Sequence, residues 1–260
     1  MAVMATQLPR RLLAELIGTA LLVLFGAGSV VAALKLGEGR LDYPSLGMIA
    51  LAFGLIIAIV IYGFGTTSGA HINPAVTVSL AVVRRFPWRE VPAYVVAQLA
   101  GGVLGGLLVV AVFGAPVATR GGGVGSTTLA DGTGYVRGTV AEIIGTFLLL
   151  FTIMALAVDR RAPAGWAGLI IGLAVTTDIL MIGPVTGASM NPARTFGPYL
   201  TNTFFGGSTP WAEFFVYVIG PLVGGVLAAV AYDLIARPVR EVPAEAPQGA
   251  EGEIRGRRVR

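Results

Sequence analysis

Two short stretches decide the fold. The first runs Thr66-Thr67-Ser68-Gly69-Ala70-His71-Ile72-Asn73-Pro74-Ala75-Val76-Thr77, and the second Gly183-Pro184-Val185-Thr186-Gly187-Ala188-Ser189-Met190-Asn191-Pro192-Ala193-Arg194. In each, a Gly-containing extended segment meets Asn-Pro and then a short, mostly apolar run. Asn is a favoured helix N-cap because its side-chain oxygen takes a free backbone N–H, and Pro suits the first helical turn, where no N–H is needed. The ten residues from Pro74 to Val83 make about 15 Å of helix, half the hydrocarbon thickness of a bilayer. A helix starting at the midplane therefore delivers Arg84 and Arg85 to a membrane surface. The residues before each Asn are then re-entrant and non-helical. Such backbone is tolerated at membrane depth only when it lines a wet cavity or is buried in protein.

The surrounding composition demands a membrane. Of 260 residues 55% are apolar and 12% charged, and the mean hydropathy is +0.80. Soluble domains carry about twice that charge. Apolar runs at 12–34, 46–65, 91–113, 138–158, 165–183 and 211–236 are each near the ~20 residues a spanning helix needs. The first follows Arg10 and Arg11 as a signal peptide would, but it is too long for a signal h-region and has no cleavage site with a soluble domain behind it. It reads as the first of six spans. The segment 114–137 reads as a long Gly-rich external loop, and 237–260, Pro/Gly-rich and charged, as a disordered cytoplasmic tail.

Six spans put both termini on one side. Arg10 and Arg11, then Arg84, Arg85 and Arg89, then Arg160 and Arg161, and the six arginines beyond residue 236 share that face; Lys35, Arg40, Arg120 and Arg137 lie on the other. The positive-inside rule makes the richer face cytoplasmic, in the cell membrane. Arg194 belongs to neither face. A charged group at membrane depth is costly, which favours a functional role. The basic tail is also compatible with a nucleic-acid patch, a reading its position makes weaker.

The chain contains one unit twice. Ala14-Glu15-Leu16-Ile17-Gly18-Thr19 returns as Ala141-Glu142-Ile143-Ile144-Gly145-Thr146. Gly54-Leu55, Ser68-Gly69-Ala70 and Asn73-Pro74-Ala75 return at one common offset as Gly172-Leu173, Thr186-Gly187-Ala188 and Asn191-Pro192-Ala193. Gly101-Gly102-Val103-Leu104 returns as Gly224-Gly225-Val226-Leu227. Repeat 1 covers about 10–113 and repeat 2 about 138–236, within one channel domain spanning 1–236. Three spans per copy is an odd number, so the second copy enters the membrane from the opposite side. Two half-helices meeting N-terminus to N-terminus place two positive dipole ends, and two Asn amide donors, at the centre of a pore. Such a centre opposes cations and protons while hydrogen-bonding neutral water.

The paired Asn-Pro-Ala segments, the second followed by Arg194, and the repeated Ala-Glu-x-x-Gly-Thr resemble the aquaporin and glycerol-facilitator family over about 10–236. The resemblance implies an all-α membrane fold of six tilted spans and two half-helices, one pore per subunit, and a homotetramer. It places a narrow selectivity filter at Phe53, Ile179, Ala188 and Arg194, with pore lining from Gly69, Ala70, His71, Gly187 and Ser189. Water-strict members usually have His at the position of Ile179, and glycerol facilitators a second aromatic near Ala188. This chain has neither, and its filter is most similar to that of archaeal-type aquaporins. Thr195 and Tyr199 stand where glycerol facilitators carry Asp and a basic residue; Tyr217 matches water channels, and Val218 matches neither class. The resemblance thus implies a passive pore for water first and small neutral solutes second, with a glycerol or polyol facilitator as the alternative.

The remaining polar residues fit either a channel or a coupled transporter. Glu15 and Glu142 read as structural carboxylates that accept hydrogen bonds from the irregular backbone, or as members of a proton relay. A relay lacks a Lys or His partner at depth. His71 reads as pore lining or as a packed side chain. Asp178 has three open placements: bonded to loop backbone, bonded to Arg194, or facing the outer vestibule. With no Cys, one His, no nucleophile elbow and no phosphate loop, neither an enzyme nor a metal or other cofactor is expected.

Overall fold

The computed structural model describes residues 7–120 and 123–236; the tail assigned to 237–260 lies outside the described residues. Among them the fold is all helical. Six helices have the length and apolarity to cross a membrane: Leu8–Leu36, Tyr43–Ser68, Trp88–Phe113, Tyr135–Val158, Ala167–Thr186 and Trp211–Ala236. They are called here the first to sixth spans. Two shorter helices, Pro74–Val82 and Pro192–Phe204, follow the second and fifth spans.

Local sequence explains the boundaries. Asp42 accepts from the Ser45 N–H while the Ser45 hydroxyl accepts from the Asp42 N–H, a reciprocal cap that starts the second span. The second and fifth spans both stop at a glycine in the left-handed region, Gly69 (φ 93°) and Gly187 (φ 77°). The first and fourth spans each carry a π-helical stretch, Leu22–Ala27 and Met154–Val158, which shifts the register of the following residues by part of a turn. The 114–137 segment is more ordered than a plain loop: it includes a short helix, Ala115–Ala118, and Val124 and Thr127 are buried against the bundle.

Packing repeats between the halves. The first span packs on the third as the fourth packs on the sixth, and the second packs on the fifth. The short helix Pro192–Phe204 leans on the third span, and Pro74–Val82 on the sixth. Glycines set the closest crossings: a Cβ on Gly54 or Gly172 would strike the other helix's backbone, and one on Gly197 would run into the backbone of Gly102. Close backbone approach lets dispersion hold helices together where lipid removes the hydrophobic drive. The outer faces stay greasy, with Met48, Ile59, Val112, Met181 and Leu234 among the exposed side chains. The core gathers Phe53, Ile57, Val76, Leu149, Val175 and Ile179 around the meeting point of the short helices.

Candidate functional site

The site is built on two matched carboxylates. Glu15, fully buried, accepts from the Ser68 hydroxyl at 2.7 Å, the His71 N–H at 2.9 Å, the Ile72 N–H at 2.6 Å and the Gln98 amide at 2.8 Å. Glu142, also fully buried, accepts from the Thr186 hydroxyl at 2.7 Å, the Ser189 N–H at 2.9 Å and the Met190 N–H at 2.7 Å. A buried carboxylate is tolerated when several donors replace its water. In return, each ties down an irregular segment that has no ladder of its own. Two tyrosines repeat the same logic: the Tyr94 hydroxyl donates to Ser68 O and that of Tyr217 to Thr186 O.

Held this way, the segments adopt a conformation that their residues would not choose. Ala70 (φ 47°), Ile72 (φ 45°), Ala188 (φ 48°) and Met190 (φ 53°) all lie in the left-handed region. For β-branched Ile72 this is a true outlier, and such residues cost about 1–3 kcal/mol each. The strain recurs at the same two places in both segments, so it belongs to the site's design.

Each Asn works in two directions. Asn73 Oδ1 accepts from the Ala75 N–H at 2.8 Å, and Asn191 Oδ1 from Ala193 at 3.0 Å and Arg194 at 3.3 Å, capping the short helices. The amide nitrogens cross over: Asn73 Nδ2 donates to Met190 O and Asn191 Nδ2 to Ile72 O, both at 2.8 Å. Each amide has two N–H groups. One is spent on the backbone of the other segment, and one remains for the cavity that both Asn side chains line.

That cavity is narrow, about 50 Å³, room for a few waters. Its polar wall is Asn73, Asn191, His71, Ser189 and Arg194; Phe53, Ala70 and Ala188 also line it. The rest of the lining is largely apolar and includes Ile57, Leu149 and Val175. Arg194 is 3% exposed, places Cζ 4.9 Å from the Phe53 ring centroid, and gives Nη1 to Gly125 O at 2.8 Å. Its Nε has no acceptor among the described residues. A guanidinium there is a permanent positive charge and a fixed donor on the path.

The structure thus brings Phe53, Ala188, Arg194, both Asn, Ala70, His71 and Ser189 to one cavity. Ile179 is buried one helical turn beyond the lining Val175 and does not itself border the cavity. Gly69 lines a second, wider cavity on the arginine-rich side, and Gly187 packs against Thr127. Pro74, Ala75, Pro192 and Ala193 are buried in the first turns of their helices. Asp178 is 5% exposed and hydrogen-bonds neither to loop backbone nor to Arg194; its Oδ2 has no partner among the described residues.

Sequence reasoning missed three contributors. Gln98, fully buried in the third span, bridges Glu15 and the Thr77 hydroxyl. An amide amid an apolar span was the available signal. The Thr77 hydroxyl lies 3.1 Å from Asn73 O and 3.1 Å from His71 Nδ1, linking the imidazole to the start of the first short helix. Thr195 contacts Ser189 Oγ at 2.6 Å and Thr127 Oγ1 at 2.9 Å, joining the second segment to the stretch between the third and fourth spans.

Comparison with known proteins agrees in extent. The family described as Major intrinsic protein matches residues 3–232. Aquaporin AqpM of Methanothermobacter marburgensis is 46% identical over 241 residues, covering 88% of this chain and 98% of its own. A probable aquaporin AqpM of Archaeoglobus fulgidus is 48% identical over 248 residues, 90% of this chain and all of its own. A putative aquaporin, NIP4-1, of Arabidopsis thaliana is 41% identical over 90% of this chain and 78% of its own. Among solved structures, the aquaglyceroporin from Plasmodium falciparum superposes with a TM-score of 0.80 at 24% identity, covering 89% of this chain and 98% of that one.

Proposed function

From the premise that the chain belongs to the major intrinsic protein family, and is therefore a multi-pass membrane channel and not an enzyme, we propose that it is a passive water channel that excludes protons and ions. The observation that carries this reading is the stacking of Arg194 on Phe53 in a cavity of about 50 Å³ whose centre both Asn side chains line. Water meets a few fixed donors in an otherwise apolar lining, so it passes with few bonds to break. A cation meets the Arg194 charge and two helix N-termini, and pays to shed water that the apolar wall does not replace.

The filter is Phe53, Ala188 and Arg194 in the cavity wall, completed by Ile179 one helical turn beyond the lining Val175; the two short helices are re-entrant, and the halves form an inverted 3+3 repeat. The recurrent packing of the halves and the crossed Asn bonds support that reading. The arginine distribution supports cytoplasmic termini, and kinship with aquaporins supports a homotetramer in the cell membrane. With an aliphatic Ile179 in place of a polar residue, small neutral solutes pass as secondary permeants.

Stopped-flow light scattering on proteoliposomes tests the assignment. Osmotic water permeability equal to that of empty vesicles refutes it. In the same vesicles Ile179→His narrows the filter and adds a donor, so the glycerol-to-water ratio falls; a glycerol flux in the unmodified chain exceeding water flux makes it a polyol facilitator instead. A proton current comparable to water flux identifies a coupled transporter.

A further inference from the structure

The narrow cavity opens toward the arginine-rich face into a wider one of about 470 Å³, and the two share Ile61, Ala70, His71, Val76, Ile153 and Ile171. Among the described residues three arginines line the wide cavity, Arg11, Arg85 and Arg160, and no Asp or Glu does. Their situations differ. Arg11 is buried and spent: Nη1 pairs with Glu90 at 2.7 Å, Nε donates to the Tyr94 hydroxyl at 2.9 Å, and the guanidinium sits over the Phe86 and Tyr94 rings. Arg85 gives Nη2 to Asp233 at 3.1 Å and keeps a half-exposed side chain. Arg160 is exposed and forms no ion pair among the described residues, while its neighbour Arg161 is locked onto Asp159.

We propose that this vestibule binds a phosphate group, with Arg160 and Arg85 as its donors, and that the bound group obstructs the way to His71. Guanidinium forks match the tetrahedral, multiply charged oxygens of phosphate, and a pit with apolar walls such as Leu80, Ile153 and Ile171 concentrates their field. The pit is far larger than a phosphate, while the cavity beyond it holds only a few waters, so the anion lodges at the mouth instead of passing through. Free phosphate and the phosphomonoester headgroup of a lipid present the same chemistry at this depth. The occlusion rests on the channel reading above; the binding does not.

Two measurements on the full chain separate these. Calorimetry with inorganic phosphate on detergent-solubilised protein reads binding directly. Stopped-flow permeability in sodium phosphate against sodium chloride, at matched ionic strength and osmolarity, reads obstruction. A site with a dissociation constant of about 1 mM is some nine-tenths filled at about 10 mM phosphate, so permeability falls several-fold. Arg160→Gln, which removes no bond among the described residues, shifts the half-inhibitory concentration upward by about tenfold or more. Vesicles of phosphatidylcholine doped with phosphatidic acid, against phosphatidylglycerol at equal charge, form the lipid arm. Inhibition confined to phosphatidic acid assigns the headgroup as ligand; inhibition by soluble phosphate assigns the free ion. Absence of calorimetric binding together with absence of the lipid effect overturns the site, as does inhibition of equal strength in Arg160→Gln. Binding without any fall in flux overturns the obstruction, and binding in a chain that conducts no water faults the channel reading alone.

Discussion

Replacing Glu142 by Gln tests whether the buried carboxylates anchor backbone or carry protons. Glu142 accepts three hydrogen bonds, with Thr186 and Ser189 on Oε1 and Met190 on Oε2. An amide offers one oxygen. With that oxygen kept toward Thr186 and Ser189, the new NH2 faces the Met190 N–H, donor against donor. The exchange forfeits one charge-assisted bond, about 1.5–3 kcal/mol, and strands one buried N–H at about 1–3 kcal/mol. The sum, about 2.5–6 kcal/mol, corresponds to a fall in Tm of at least about 5 °C for a chain of this size. The left-handed backbone at Ala188 and Met190 has no other carboxylate holding it, so the segment relaxes and takes Asn191 with it. Thermal unfolding in detergent, followed by intrinsic fluorescence, measures the first effect; water permeability of the same preparation, expected to drop several-fold, measures the second. A Tm within about 1 °C of the unmodified chain refutes the anchoring account. If that unchanged Tm is accompanied by an altered proton leak, the relay is the better explanation.

Three further outcomes are expected. Arg194→Ala removes the charge stacked on Phe53 and widens the passage, so proton leak measured with an entrapped pH dye, and the glycerol-to-water ratio, each rise about tenfold, the effect of roughly 1.4 kcal/mol on a barrier. Gly197→Ala pushes a methyl into the Gly102 backbone and destabilises by about 1–3 kcal/mol or more, whereas Gly47→Ala, whose Cβ meets nothing, stabilises by about 0.5–1 kcal/mol; paired melting curves distinguish them. Asp159 is held below the ordinary carboxylate range by its hydrogen bonds to Arg161. A depressed folded value means its contribution is whole above the unfolded value of about 3.9 and fades as pH falls further, so the Tm gap between the unmodified chain and Asp159→Asn begins to narrow below about pH 4. A gap that stays constant down to pH 3 contradicts that assignment.

Legibility in the sequence followed the physics of each feature. The spans were readable because lipid enforces long apolar runs, and their observed limits differ from the expected ones by a few residues, as with Leu8–Leu36 against 12–34. Asn73 and Asn191 were readable as caps because Asn-Pro is a local signal. Nothing local announces the π-helical turns at Leu22–Ala27 and Met154–Val158, which arise from packing. Likewise, the Gly125 carbonyl that holds Arg194 sits in a Gly-rich stretch whose composition reads as plain loop. The expected lumen-facing amides are half committed, because the acceptors that use them are backbone atoms of the other half and leave no side-chain trace.

Those crossed amides also impose a timetable on synthesis. The acceptor for Asn73 lies 117 residues further along the chain. At about 5–20 residues per second the ribosome delivers it about 6–23 s later. Through that interval the Asn73 amide has no acceptor from the second half. Asn191, arriving last, finds its own acceptor, Ile72 O, already in place. The nascent chain is thus closed by its second half as a lock is by its bolt, and a ribosome that stops at the intervening loop leaves behind a membrane-embedded piece with no finished pore.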